Sequence, residues 1–355
     1  MAANEQFYEE ISRTINVQRA QVAEDTVTRY YAARPDLLTR YGAAGRMKCL
    51  QDVNYHLSYL AQAIAVSTPE LFIDYVAWAK VMLSERNVPV EDLISNLVHL
   101  RDTLRKLLPD TMQPTIVQYI DASLEQCNIF TPNPPSFLPI AAPHADLAKQ
   151  YLDALLAADR HEACTLILDA IRAGVSVTDL YVHVFQSSQQ EIGRLWQLNQ
   201  VSVAQEHYCT AATQLIMSQL YPHILASEKN GRIVVAACVA DDLHELGVRM
   251  VADFFEMEGW KTIYLGANTP VSSIVKMLVE QGAHILALSA TMTYHIQAVA
   301  DVIKAVRLSD AKDVKVLVGG HPFNRAPNLW KMIGADGYAP DATTALVVAN
   351  DLIHT

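Results

Sequence analysis

The stretch RIVVAACVADDLHELG, residues 232–247, decides the fold. Its first half is a short run of β-branched and small apolar residues. Its second half turns to acidic residues, a histidine and a glycine, and then passes into a helix-compatible pattern. A buried strand that ends in a polar loop and feeds a helix opens a βα unit. The alternation repeats downstream in KTIYLGAN (261–268), AHILALSATMT (283–293), VKVLVGGHPF (314–323) and DGYAP (336–340). Strands alternating with amphipathic helices predict a parallel, doubly wound α/β sheet of flavodoxin/Rossmann-like type over 229–355. Ligands of such sheets bind outside the carboxyl ends of the strands, which directs attention to the loops ADDLHELG, LGAN, SATMT and GGHPF.

Upstream, 144–228 reads as four helices with short connections, an up-down bundle. Before it, TPNPPSFLPIAAP (131–143) carries five prolines, which remove backbone donors and disfavour helix, so a linker is expected there. The first 130 residues read as one all-α domain. In it Thr68 is placed to cap, and Pro69 to open, a helix presenting Leu71, Tyr75, Trp78 and Met82 along one face.

The net charge of −11 disfavours nucleic acid, whose phosphates need clustered Lys and Arg. Five scattered cysteines, none in a CxxC pair, argue against zinc or a disulfide framework and for a reducing cytoplasm. The N-terminus lacks a secretory pattern, and no apolar run is long enough to span a membrane.

Within the first loop, Asp242 stands two residues before His244. A carboxylate bonded to one imidazole nitrogen fixes the tautomer and raises the basicity of the other, the arrangement a metal-bound histidine needs. Gly247 leaves room for close approach. The pattern Asp242-x-His244-x-x-Gly247 resembles the signature of cobalamin-binding domains. That resemblance implies His244 as the lower axial cobalt ligand. It also implies Leu265, Gly266, Ser289, Thr291, Thr293, Gly319, Gly320 and Tyr338 as cobalamin-binding residues. In that family a Ser-x-Leu pair stands where this chain has Ser289-Ala290-Thr291.

The four-helix segment resembles the cap over the upper cobalt face. Its W-QLNQVSVAQ-EH pattern, Trp196 followed by Glu206 and His207, is similar to the light-sensing cobalamin domains of carotenoid-gene repressors. The likeness implies an adenosyl pocket of Trp196, Val203, Glu206 and His207. The repressors have a His directly after the Trp, where this chain has Gln197. Gln is a poor cobalt ligand, which leaves His207, water or His183 as replacements.

The segments RYGAAGRMKCLQDVNYHLSYLAQAI (40–64) and LFIDYVAWAKVML (71–83) resemble a non-haem sensor globin. A globin-like domain joined to a light-sensing cobalamin domain resembles the photocobilins. The implied cofactors are adenosylcobalamin and biliverdin, with Arg46, Lys48, Tyr55, His56, Tyr59, Trp78 and His99 as bilin candidates. Haem on His56, or a thioether through Cys49, are alternatives. The expectation is a cytoplasmic photoreceptor rather than an enzyme. It would act as a homo-oligomer or through an unknown downstream protein, without nucleic acid or membrane. Two rival readings are a corrinoid methyl carrier of a methyltransferase system and a stress-signalling scaffold with an empty globin domain.

Overall fold

In the computed structural model, residues 2–127, 134–225 and 227–354 are described. Two compact units emerge: one holds the helices up to Cys127 together with Met292–Gln297, the other the remainder of the chain.

The first unit is built from α1 (Ala2–Ala33), α2 (Asp36–Ala65), α3 (Pro69–Ser84), α4 (Val90–Leu107) and α5 (Gln113–Cys127). Apolar residues at helical spacing, such as Ile11, Ile15, Val22 and Leu57, Leu60, Ile64, are fully buried between them. Pro69 opens α3, where its missing N–H costs nothing. Thr68 occupies the cap position but does not cap: its hydroxyl donates to the Val66 carbonyl at 2.8 Å. The buried face of α3 runs through Leu71, Phe72, Tyr75, Val76 and Ala79, so Trp78, at 37% exposure, falls off the core stripe assigned from periodicity.

The second unit begins with the proline-rich stretch. Its residues 131–133 lie outside the described residues. The rest is pinned down: the Phe137 N–H donates to Glu191 Oε2 at 2.9 Å, and Arg194 donates to the Pro134 carbonyl at 3.4 Å. The bundle follows as α6 (Ala145–Leu156), α7 (Arg160–Arg172), α8 (Val177–Asp179) running through a π-helical stretch Leu180–Gln186 into α9 (Ser187–Gln197), α10 (Val203–Gln219) and α11 (Tyr221–Ile224). Asp159 caps α7, and Ser202 with Gln205 forms a reciprocal capping box at α10.

The sheet comprises β1 (Ile233–Cys238), β2 (Lys261–Gly266), β3 (Ile285–Ser289), β4 (Lys315–Gly319) and β5 (Gly337–Tyr338), all parallel in the order β2-β1-β3-β4-β5. Between them lie α12 (Leu246–Met257), α13 (Val271–Gln281), α14 (Ile296–Arg307), α15 (His321–Arg325) and α16 (Leu329–Met332), and α17 (Ala342–His354) closes the chain. The order reverses between β1 and β3, and that switch point is where such a sheet opens a crevice for ligand. Bundle and sheet share a core: Met250 and Phe254 of α12 are buried among Tyr181, Ile216 and Met217 of the bundle. Tyr181 and Tyr221 both donate to Asp253, at 2.7 and 3.3 Å.

One segment departs from the expected boundaries. Met292–Gln297, directly after the β3 loop, packs with the first unit. There the Tyr59 hydroxyl reaches Met292 Sδ at 3.2 Å and its ring meets Tyr294 edge-on at 5.2 Å. Thr293, expected among the cobalamin-binding residues, is buried in this segment, two residues after Thr291.

Candidate functional site

β1 ends at Cys238, and the backbone then crosses the C-terminal edge of the sheet as an irregular loop. Asp242 in that loop is fully buried and divides its carboxylate. Oδ1 accepts from the His244 N–H at 3.0 Å and lies 2.9 Å from His244 Nδ1; Oδ2 accepts from the Thr291 N–H at 2.7 Å. The side chain thus spans the switch point, holding the β1 loop to the β3 loop. With Nδ1 engaged, the imidazole is left with Nε2 as its outward nitrogen, and about half of the side chain is exposed. A fixed tautomer backed by a buried carboxylate is the donor chemistry of a metal-bound histidine.

The surrounding strand ends are kept small by close approaches that leave no room for a Cβ. Gly320 has φ 107, and a Cβ there would stand 2.0 Å from the Ala290 carbonyl oxygen. A Cβ on Gly319 would stand 3.0 Å from the Ala339 carbonyl. The β3 and β4 ends therefore approach more closely than side chains allow, leaving a narrow wall beside Ser289 and Thr291. Gly266 faces Glu245: its Cβ would lie 3.0 Å from Oε2, and its φ is 78. Leu265 is half-buried beside it. Gly247 opens α12 with nothing within 4 Å of a built Cβ. Tyr338 donates to Asn324 at 2.8 Å, at the far end of the row.

Glu245, not singled out by the sequence pattern, is a second carboxylate that ties this loop to its surroundings. It accepts from Gln214 of α10 at 2.8 Å, from the Tyr264 hydroxyl at 3.0 Å and from the Ala267 N–H at 2.9 Å. Burial, reinforced by Glu245, pushes the Tyr264 phenol well above its ordinary range, so it stays a donor. Burial likewise raises the Cys238 thiol, keeping it protonated under the loop.

On the bundle, Trp196 is half-buried at the end of α9, and Val203, Glu206 and His207 lie in the first turns of α10. His207 Nδ1 sits 2.6 Å from Glu206 Oε2 and is exposed. The Thr210 hydroxyl lies 3.1 Å from Glu206 and 3.0 Å from Gln189 of α9, and Gln189 continues to Thr213 at 2.9 Å. Gln197 is buried, and His183 lies in the π-helical stretch beside His144.

The bilin candidates divide into two groups. Tyr59 and Tyr75 stack at 3.7 Å, His56 Nδ1 lies 2.8 Å from the Tyr75 hydroxyl, and Tyr55 and Trp78 are exposed. His56 is 2% exposed, and burial depresses its pKa to about 4, which makes it a neutral core imidazole rather than a cation for propionates. Arg46 instead pairs with Glu24 at 2.5 Å on the α1 side, Lys48 is exposed, and His99 packs on Tyr30 with Nδ1 2.7 Å from the Ser95 carbonyl. Asp52, which shares a face of α2 with Lys48, Tyr55 and Tyr59, was not anticipated; burial raises its pKa to about 6.

Among the described residues the cysteines are free thiols, no group of three or more His, Cys, Asp or Glu side chains forms a metal cage, and no helix is long and apolar enough to cross a membrane. A single protein ligand beside a small-residue wall suits a metal that brings its own equatorial ligands, and the donor set fits the corrinoid that the Asp-x-His pattern implies.

The two units have counterparts among known proteins. Residues 232–347 match the B12 binding domain, 147–221 a second B12 binding domain, and 3–126 the phycobilisome protein family. Dimethylamine corrinoid protein 3 of Methanosarcina mazei is 32% identical over 139 residues, 39% of this chain and 81% of that protein. Trimethylamine corrinoid protein 1 of Methanosarcina acetivorans is 27% identical over 54% of this chain and 89% of its own length. The monomethylamine corrinoid protein of Methanosarcina barkeri shares the fold, with TM-score 0.54 and 21% identity over 59% of this chain and all of that structure. Through its second unit the chain belongs to the B12-binding corrinoid proteins. Other dimethylamine corrinoid proteins are spanned over only 63% of their length.

Proposed function

We propose that this chain is a light sensor that holds adenosylcobalamin between bundle and sheet and a bilin in its first unit. The observation that carries the reading is the union, on one chain, of a phycobilisome-type helical unit with both cobalamin modules. The Trp196…Glu206-His207 spacing supports the adenosyl form over a carrier with an open upper face. Adenosylcobalamin supplies a cobalt–carbon bond that light breaks. His244, oriented by Asp242, would hold the cobalt through its other ring nitrogen. Trp196 offers an aromatic face for adenine, and Glu206 a carboxylate for ribose hydroxyls. With Gln197 in the position next to Trp196, His207 and His183 are the imidazoles the bundle offers as replacements. In the first unit Tyr55, Tyr59 and Trp78 would supply aromatic faces, with Asp52 as a carboxyl for pyrrole nitrogens and Lys48 for propionates. Signal leaves by assembly or through a partner protein.

A second reading, a corrinoid methyl carrier of a methyltransferase system, is favoured by the relatives, which are methylamine corrinoid proteins. One experiment separates the two. The full chain is loaded with adenosylcobalamin and biliverdin, and absorption is recorded before and after green light. Spectral conversion is expected; a cobalamin spectrum indifferent to light refutes the sensor and leaves the carrier. A bilin-free protein refutes the first-unit assignment alone. His244→Ala should lose the spectrum of histidine-ligated cobalamin.

A further inference from the structure

We propose that Glu245 is a latch that ties the His244 loop to the cap, so that the position of α10 is set from below as well as from above. This rests on the cobalamin reading of that loop. Glu245 directly follows His244, and its two oxygens serve opposite ends of the unit. Oε2 is fixed to the sheet by the Tyr264 hydroxyl and the Ala267 N–H, at 3.0 and 2.9 Å. Gly266 leaves the space that this oxygen occupies. Oε1 is fixed to the cap by Gln214 at 2.8 Å. Gln214 lies on the same helix as Glu206, eight residues on, or about 12 Å along its axis. At its other end α10 is held through Glu206, Thr210 and Gln189. A rigid helix thus has one anchor in the adenosyl-side residues and one in the loop that presents His244.

Other ties between bundle and sheet start elsewhere: Ser218 to Arg249, and Tyr181 and Tyr221 to Asp253, all engage α12. Glu245 alone among these belongs to the His244 loop itself. A shift of α10 pulls on that loop, and a shift of the loop is felt in the cap without passing through the corrin.

The test uses a charge swap. Gln214→Glu sets two carboxylates face to face and breaks the tie. Glu245→Gln in the same chain restores it, since the new amide can accept from Tyr264 and Ala267 and donate to the carboxylate introduced at position 214. Hydrogen exchange of α10 peptides is followed in the full chain, dark and loaded with adenosylcobalamin, and again unloaded. Gln214→Glu should speed α10 exchange about tenfold or more, the scale of losing a hydrogen bond to a charged group, and the double variant should return near the parent rate. The unloaded series reads the latch even if adenosylcobalamin is not taken up, a result that would instead count against the cofactor reading. Unchanged α10 exchange in Gln214→Glu, or no recovery in the double variant, overturns the latch.

Discussion

His56 offers a perturbation whose size follows from burial alone. Its pKa of about 4 lies below the ordinary 6.5 because burial penalises the imidazolium. In the unfolded chain the ring takes up a proton near pH 6.5; in the folded unit it resists until about pH 4. The folded-state pKa is depressed, so the stability present above the unfolded pKa is lost as pH falls through this window. Between about pH 7 and about pH 5 the loss is about 2 kcal/mol. Asp52, whose pKa is raised to about 6 by burial, works in the opposite sense. Its protonation on acidification recovers about 1 kcal/mol over the same range. The parent unit therefore shows a shallow pH dependence that conceals two steep ones. His56→Gln keeps an acceptor for Tyr75 and removes the titration. Relative to parent, it should gain about 2 kcal/mol on going from about pH 7 to about pH 5. Asp52→Asn should move the other way. Hydrogen exchange of α2 and α3 peptides, compared between variant and parent at each pH, isolates this unit in a chain that need not unfold in one step. If the His56→Gln difference is the same at both pH values, His56 is not a neutral buried group.

Three further outcomes follow from the second unit. Asp242→Asn should weaken cobalamin uptake about 10- to 100-fold, measured by spectrophotometric titration, because it loosens both His244 and the β3 loop; unaltered affinity would remove Asp242 from the site. Gly320→Ala should destabilise the unit by about 2–4 kcal/mol, seen as a lower Tm, since its Cβ meets the Ala290 carbonyl oxygen at 2.0 Å in a left-handed backbone; an unchanged Tm would contradict the close β3–β4 approach. Phe254→Ala removes a ring shared by bundle and sheet and should cost about 3–5 kcal/mol, with exchange rising in α9 and α10 as well as α12; a rise confined to α12 would mean that the two layers do not share one core.

The parallel sheet was legible because its central strands β1, β3 and β4 are apolar runs that are mostly buried, and Asp242 and His244 because they are two residues apart and meet through local geometry. The ties that organise the site are harder to read. Thr291 contributes a backbone N–H, which has no signature in sequence, and Glu245 meets Gln214 across 31 positions. In the first unit, periodicity separates buried from exposed faces but does not say which helix a face meets. His99 therefore went to Tyr30 rather than to the Tyr59 cluster, and Trp78 to the surface. Local rules put Thr68 at the start of α3, but its hydroxyl donates to the Val66 carbonyl instead of capping the helix.

The six residues Met292–Gln297 bear on how such a chain can be cut and recombined. They are encoded in the middle of the cobalamin sequence yet complete the helical unit at the front. A polypeptide ending at Cys127 would lack them and leave Tyr59 facing water where Met292 and Tyr294 now stand. A polypeptide beginning at the bundle would carry them with nothing to bury Thr293 and His295. A gene fusion that exchanges the front unit for another sensor therefore needs two cuts, one at the front and one around this short loop.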